Sequence, residues 1–555
     1  MSTYPVDPPG APSYQGWLDS AADRRMCAGT YLDPDFRDHV LRDVYNNRGR
    51  RVAPSYGYNV VLVLRHAWRA WWLETCQHLF MLVVLGLALA FRPLDALAAV
   101  DVLVIWHLLR RWVIWAVQYN GYGDQRNPLL LARQLQFRGK LLKFSLSSSL
   151  ITLLVLVVAA AHQGGIGPWP VHAVLCVAGM VFVLAAIVAV TAALRVICLG
   201  RLRASARGAR RLSRRMGVID RQQRHPFIVY AGYKPFIGSG NNIRSWSFAQ
   251  RLVHADHSGI GPGLEFSDPP FTAQKLVDRL RERISALKDE SNPETRLPGL
   301  HVTDRVFVEG TLAGRFNRAL ASDPESGDVE RAIAEAIARP SDVARHYLAA
   351  RVESWAGEIV TSVFVHVSLQ GRTLYLEFAT YALLPTRPEF HVVDEIGGTG
   401  GRAIARAVRT GLACLPQQLL AARRLAHAPV QLRTALRPGR DRTPKASLRA
   451  DIGAMSCARE TAMAGADGEP GGETEGSYFQ FQDVIQHSKI IERRLIAAVD
   501  DYLKDVGVDT SEFVQRAMAI LNSGVINTGS GTVNVVNSAV GDQPNVNIQT
   551  EIGES

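Results

Sequence analysis

The apolar residues of this chain are gathered, not spread. Four runs, at about 71–91, 94–117, 144–161 and 171–194, are rich in Leu, Val, Ile, Ala and Phe. A helix needs about 20 residues to cross about 30 Å of hydrocarbon, and the first, third and fourth runs meet that length. The second is interrupted by Arg110 and Arg111 before Trp112 to Val117, so it spans only if those arginines reach the inner headgroups along their stems. Arg92-Pro93 separates the first two runs, and residues 162–170, which hold no Lys or Arg, separate the last two. The pattern predicts two helical hairpins. Ahead of the first, Val60 to Trp72 mixes Val and Leu with Arg65, Arg69, Trp68, Trp71 and Trp72, which predicts a helix lying in the inner headgroup layer.

Beyond residue 200 the periods shorten. Val363, Val365, Val367 and Leu369 alternate, Gln370-Gly371 turns, and Leu374, Leu376 and Phe378 alternate again, the pattern of a β-hairpin. Phe227 to Tyr233, Trp246 to Val253, Val302 to Val308 and Val392 to Ile396 read as further strands. Phe271 to Asp289, Val329 to Ile337, Ser341 to Trp355 and 402–427, broken at Pro416, read as helices. Strands grouped around helices without a βαβ rhythm predict an α+β domain over 225–450. A Gly/Ala-rich linker follows at 451–477. In the 478–522 segment, Phe481, Val484, Ser488, Ile491, Leu495, Ala498 and Tyr502 keep a 3-4 spacing that predicts a coiled coil and a homo-oligomer through 481–502. The tail, 523–555, is rich in Asn and Gly, and its Val533-Asn534-Val535 and Asn545-Val546-Asn547-Ile548 suit either an added strand or a disordered end. At the other end, residues 1–59 form a polar N-terminal region whose first part is kept irregular by Pro5, Pro8, Pro9 and Pro12.

Charge then orients the hairpins. The net charge of +11 is local: Arg201, Arg203, Arg207, Arg210, Arg211, Arg214 and Arg215 form a collar over 201–224, directly after the fourth run. Arginines beside apolar spans point to anionic headgroups and argue against nucleic acid. With Arg65 and Arg69 before the first span and Arg126, Arg133, Arg138, Lys140 and Lys143 between the hairpins, the bias places both termini in the cytoplasm of an inner-membrane protein. The expected architecture is a four-helix transmembrane domain over 60–200, joined by the collar to a cytosolic α+β domain. The six cysteines show no disulfide framework and no zinc spacing.

Candidate chemistry is sparse. Asp101 and His107 are polar groups inside the second run, and a carboxylate at that depth suits either a proton or ion path or a pairing with a neighbouring helix. Glu74 and His78 lie near the start of the first span. Val392 to Ile396, followed by Gly397, Gly398, Gly400, Gly401 and Arg402 and then a helix, has a strand–loop–helix order that suits a phosphate, but it lacks the Lys-Ser/Thr of a P-loop. His254 and His257 have no third ligand nearby, no catalytic motif is present, and neither cofactor nor metal is implied.

The segments Pro235 to Gly240 with Trp246-Ser247-Phe248-Ala249, Tyr31-Leu32 to Pro54-Ser55, and Ile526 to Asn534 resemble uncharacterised multi-pass membrane proteins of high-GC Gram-positive bacteria. The resemblance implies the layout and brings no activity. A membrane-anchored scaffold or sensor with a cytosolic partner is the expected role, with a small channel or transporter using Asp101 and a nucleotide-dependent membrane-bound enzyme as alternatives.

Overall fold

The alternation at 359–383 builds the centre of the protein. The structure is a computed structural model that describes residues 20–48, 50–121, 169–204, 213–230, 235–255, 265–310, 312–339, 344–395, 401–436, 458–463 and 478–522. Its sheet contains β1 (Phe227–Tyr230), β2 (Asn241–Arg251), β3 (Leu300–Glu309), β4 (Ala344–Ser354), β5 (Ile359–Gln370) and β6 (Thr373–Leu383). They run in the order β1-β3-β4-β5-β6-β2, antiparallel throughout except for the β1–β3 pair. Two expectations from the sequence fail here. Residues 344–354, expected within a helix, form a central strand, and Val392–Glu395, expected as a strand, is a single helical turn. The Ala/Arg composition of 344–354 favours a helix locally, but pairing along both edges decides its state.

The helices in chain order are α1 (Ala21–Leu32), α2 (Pro34–His39) with a π-helical turn at Val40–Asn46, α3 (Val60–Phe91), α4 (Pro93–Gly121), α5 (Trp169–Ala204) and α6 (Arg214–Arg224). Then come α7 (Ala273–Ser285), α8 (Asn317–Ala321), α9 (Gly327–Ala338), α10 (Val392–Glu395), α11 (Gly401–Ala413), α12 (Leu415–Ala421), α13 (Ala428–Leu436), α14 (Tyr478–Asp505) and α15 (Ser511–Asn522). Among the described residues, two helical segments, Val60–Phe91 and Val174–Leu202, are long and apolar enough to cross a membrane. The run at 144–161 and the tail at 523–555 lie outside the described residues.

One sheet face carries Phe248, Leu348, Val363, Val365, Leu376 and Phe378, and α7 and α14 pack on it. Here the expected oligomer seam finds its partner within the chain. Val484, Ser488, Ile491, Leu495 and Ala498 are all buried. Ser488, out of place in a coiled coil, meets Thr380 at 2.8 Å, and Trp246 donates to Glu492 at 2.6 Å. The 3-4 spacing is therefore explained by intrachain packing. On the opposite face Phe236 sits among Phe307, Tyr347, Phe364 and Tyr381, with ring centroids 4.7–5.3 Å apart.

The N-terminal region also departs from expectation. Met26, Cys27, Tyr31, Phe36, Val40, Leu41, Val44 and Tyr58 are core, and the first half of α3 is buried among them instead of lying along a surface. Asn59 caps α3 through Val61, and Gln223 of α6 accepts from Val60 at 3.2 Å. Residues 51–58 press on the β4–β5 turn, where a Cβ on Gly57 or Gly357 would meet the other's carbonyl oxygen at 2.8 Å. Trp355 and Ala356 in that turn both have φ +53°, a left-handed conformation costing about 1–2 kcal/mol per non-glycine residue.

Glu358 closes the junction. Its carboxylate accepts from the Thr386 backbone at 2.9 Å and the Thr386 hydroxyl at 3.1 Å, and pairs with Arg25 of α1 at 3.2 Å. Arg459, fully buried, donates to the carbonyls of Glu358 and Leu384 at 2.8 and 3.1 Å. Arg387 pairs with Asp33 at 3.2 Å. Three remote stretches of chain are thus fixed to one sheet corner.

Two outcomes follow for stability. Ile491→Ala opens a cavity under α14 and lowers stability by about 2–5 kcal/mol, measured by denaturant or thermal unfolding. Burial pushes the Asp23 carboxyl up to about 7, against hydrogen bonds from Asn59 and Ser20. Its folded pKa lies above the unfolded value of about 4, so its contribution is full at low pH and is lost as pH rises through about 7. Asp23→Asn should therefore gain on the wild type between about pH 4 and 7 by on the order of 4 kcal/mol, and a pH-independent difference would contradict this.

Candidate functional site

A cleft of about 500 Å³ opens where α2, α3 and the 422–433 segment meet. Each wall has a local cause. Asp33 caps α2 by accepting from Asp35 and Phe36 at 2.8 and 3.2 Å, with Pro34 in the first turn. The π-helical turn that follows leaves carbonyls at its end. Buried Arg215 of α6 takes those of Tyr45, Val44 and Asn47, at 3.1–3.4 Å. The wall so fixed presents Arg37, Asp38, Arg42 and Asp43. In α3, Trp71, Glu74 and His78 fall on one face by their three- and four-residue spacing and form the floor. The third wall, with Arg424, Leu425 and His427, comes from the helical turns after Pro416.

Those turns belong to a wedge, residues 401–436, that packs on the apolar helices. Helix α11 lies so close to α5 that a Cβ on Gly411 would meet Val188 at 3.2 Å and Ala192 at 3.4 Å. Leu415 is buried with Met81, Ala99, Leu103 and Leu184 of α3, α4 and α5. Gln77 donates to Gln418 at 3.0 Å and accepts from Thr191 at 2.9 Å, and Arg110 donates to the Ala413 carbonyl. The wedge's apolar stripe is satisfied by helices, and its polar groups by side chains that those helices bring.

Electrostatically the cleft has a fixed floor and a changeable rim. Arg37 and Glu74 form an ion pair with side chains only 5% and 8% exposed. Removing one partner of such a buried pair leaves an uncompensated charge, which makes the pair a structural anchor. Burial lowers the Arg37 pKa, but the neighbouring Glu74 and Asp38 carboxylates outweigh it and hold the guanidinium above its ordinary value. Arg424 reaches both Glu74 and Asp35 at 3.4 Å. At the rim, Asp43 pairs with Arg42 at 3.1 Å and His39 at 2.9 Å, in exposed geometry worth about 0–1 kcal/mol per pair. The mixed charges suit a polar ligand carrying both signs.

The residues singled out from sequence fall in several places. Glu74 and His78 are brought into the cleft, whereas Asp101 and His107 sit half-buried on α4 away from it. The phosphate-loop candidates lose their strand, because 392–395 is helical. Gly401 and Arg402 are exposed at the start of α11, and Gly397, Gly398 and Gly400 lie outside the described residues. In the collar, Arg201 and Arg214 are exposed and Arg203 is in the last turn of α5. Arg207, Arg210 and Arg211 lie outside the described residues. Arg215, expected at headgroups, is instead buried as the carbonyl cap described above. Among the described residues no group of three or more His, Cys, Asp or Glu could hold a metal ion. Sequence reasoning missed Arg37, Asp38, Arg42, Asp43 and Arg424. The signal in the sequence was the Glu74/His78 pair near the start of the apolar run of α3.

A family model described as AbeC-like domain matches residues 245–535, more than half of the chain, and the chain belongs to that family. The matched range begins within β2, holds β3 to β6, the wedge, α14 and α15, and excludes α3, α4 and α5. No curated protein and no solved structure matches it.

The contact at Gly411 is testable. Gly411→Leu forces α11 off α5 and should destabilise the protein by about 1–3 kcal/mol, while Gly401→Ala, with open space around it, should leave the unfolding midpoint unchanged.

Proposed function

We propose that the chain is a multi-pass inner-membrane protein acting as a scaffold or sensor, with its sheet domain held on the cytoplasmic side. The observation that carries this is the wedge 401–436, which leaves the sheet and packs among α3, α4 and α5. A shift in the apolar helices then moves a segment that follows the last strand of the sheet in the chain.

Several observations support the membrane part. Leu79, Phe80, Leu87, Leu97, Leu109, Val174 and Phe182 are exposed large apolar side chains on α3, α4 and α5, 51–73% accessible. A belt of this kind is expected of a lipid-facing surface and is rare on a soluble monomer. The arginine collar and the basic segment between the two hairpins favour cytoplasmic termini. Four spans fit this topology. The partner is a cytosolic protein that meets the sheet domain.

The test is site-directed labelling in intact cells with the native cysteines replaced. Arg92→Cys, at the short outer turn, should react with a membrane-impermeant maleimide from outside, and Glu512→Cys on α15 only after permeabilisation. Labelling of Glu512→Cys in sealed cells would overturn the proposed orientation.

A further inference from the structure

We infer that the cleft between α2, α3 and the 422–433 segment holds the headgroup of a zwitterionic aminophospholipid, a phosphate diester bearing a primary ammonium. The inference rests on the membrane reading above and adds the ligand. Depth is the first argument. Glu74 precedes the outer end of α3 at Phe91 by 17 residues, a rise of about 25 Å at 1.5 Å per residue, which places it near the inner boundary of a hydrocarbon layer about 30 Å thick. Trp72, half-exposed beside Trp71 in the Tyr45–Trp68–Trp71–Trp72 ladder, marks the same level. The cleft is therefore where a headgroup lies when its acyl chains follow the exposed belt of α3.

Charge selects the headgroup. The floor pair Arg37–Glu74 is buried, and Arg37 also donates to Asp38 Oδ1 at 2.9 and 3.0 Å, so the groups facing a ligand are Arg42 and Arg424, 70% and 37% exposed, and Asp43 with the second oxygen of Asp38, 27% and 31% exposed. A phosphate suits the two guanidinium groups, and an ammonium with three N–H donors suits the two carboxylates. A phosphatidylglycerol headgroup would bring a negative charge with no cation for Asp38 and Asp43. A choline headgroup offers those carboxylates no N–H donor. The headgroup replaces only the outer pairs, Arg42–Asp43, His39–Asp43 and Arg424–Asp35, which are weak, so exchanging them for charge-assisted bonds in a half-enclosed cleft is favourable.

The experiment uses the full chain reconstituted in vesicles of equal parts phosphatidylethanolamine, phosphatidylcholine and phosphatidylglycerol, then extracted in mild detergent, with retained lipid counted by mass spectrometry. The expected result is retained phosphatidylethanolamine enriched about tenfold over the other two, the effect of roughly 1.4 kcal/mol. Arg424→Ala and the gentler Arg42→Ala should each return the retained lipid toward the vesicle composition, and Asp43→Asn should reduce the preference for ethanolamine over glycerol. Retained lipid that matches the vesicles, enrichment of phosphatidylglycerol, or enrichment indifferent to all three variants would overturn the inference while leaving the membrane reading intact. Equal competition by soluble glycerophosphoethanolamine would overturn the lipid source in favour of a free phosphate ester. Failure of the chain to float with the vesicles would instead overturn the membrane reading, and this inference with it.

Discussion

A buried carboxylate is tolerated only where enough donors surround it, and Glu358 shows how far such a requirement reaches. Its oxygens are met by Thr386 and Arg25, and its backbone carbonyl by Arg459. These partners come from the β6 exit, from α1 and from the 458–463 segment. None of them is near the others in sequence, so meeting one acid's demand draws the N-terminal helices and the 386–395 segment onto a single corner of the sheet. The left-handed turn at Trp355 and Ala356 sits beside it, held by the Gly57–Gly357 contact and by Trp355 donating to Asp483 at 2.7 Å. Local strain is sustained there because the surroundings leave the turn no alternative.

From that corner the chain passes through α10 into the wedge, and the same logic is repeated at lower polarity. Arg110, Gln77 and Thr191 would each be costly on an apolar helix, and each finds a partner in the wedge or in a neighbouring helix. The cleft is the outer edge of this polar seam. Its floor is fixed by Arg37 and Glu74, and its rim is left with pairs weak enough to exchange. Rigidity below and exchangeability above are what a binding site placed on a structural joint requires.

Much of this was legible in the residues themselves. The β5–β6 hairpin announces itself by strict alternation around Gln370-Gly371, and α7 by its single apolar face. What misled was periodicity without knowledge of the partner. The 481–502 spacing states that one face of a helix is covered, and cannot state by what; Ser488 was the clue, since its hydroxyl needs the Thr380 that only the sheet supplies. In β4 the alanines and arginines favour helix, and pairing with β3 and β5 overrides them. Arg215 looked like its neighbours in the collar, and only the orphaned carbonyls of the π-helical turn distinguish it. The cleft draws on segments separated by hundreds of positions, so no local motif could reveal it.

The dependence on Arg459 has a consequence in time. Residues 20–58 are made before the 458–463 segment, yet their docking surface is incomplete until it follows, roughly 400 residues later and about 20–80 s at about 5–20 residues per second. During that interval Asp23, Arg25 and the apolar side of α1 lack their final neighbours, while the long apolar helices are already made. The order of synthesis therefore opposes the order of closure. A chain truncated before Arg459 is expected to keep its apolar helices and to leave its N-terminal region exposed to proteases.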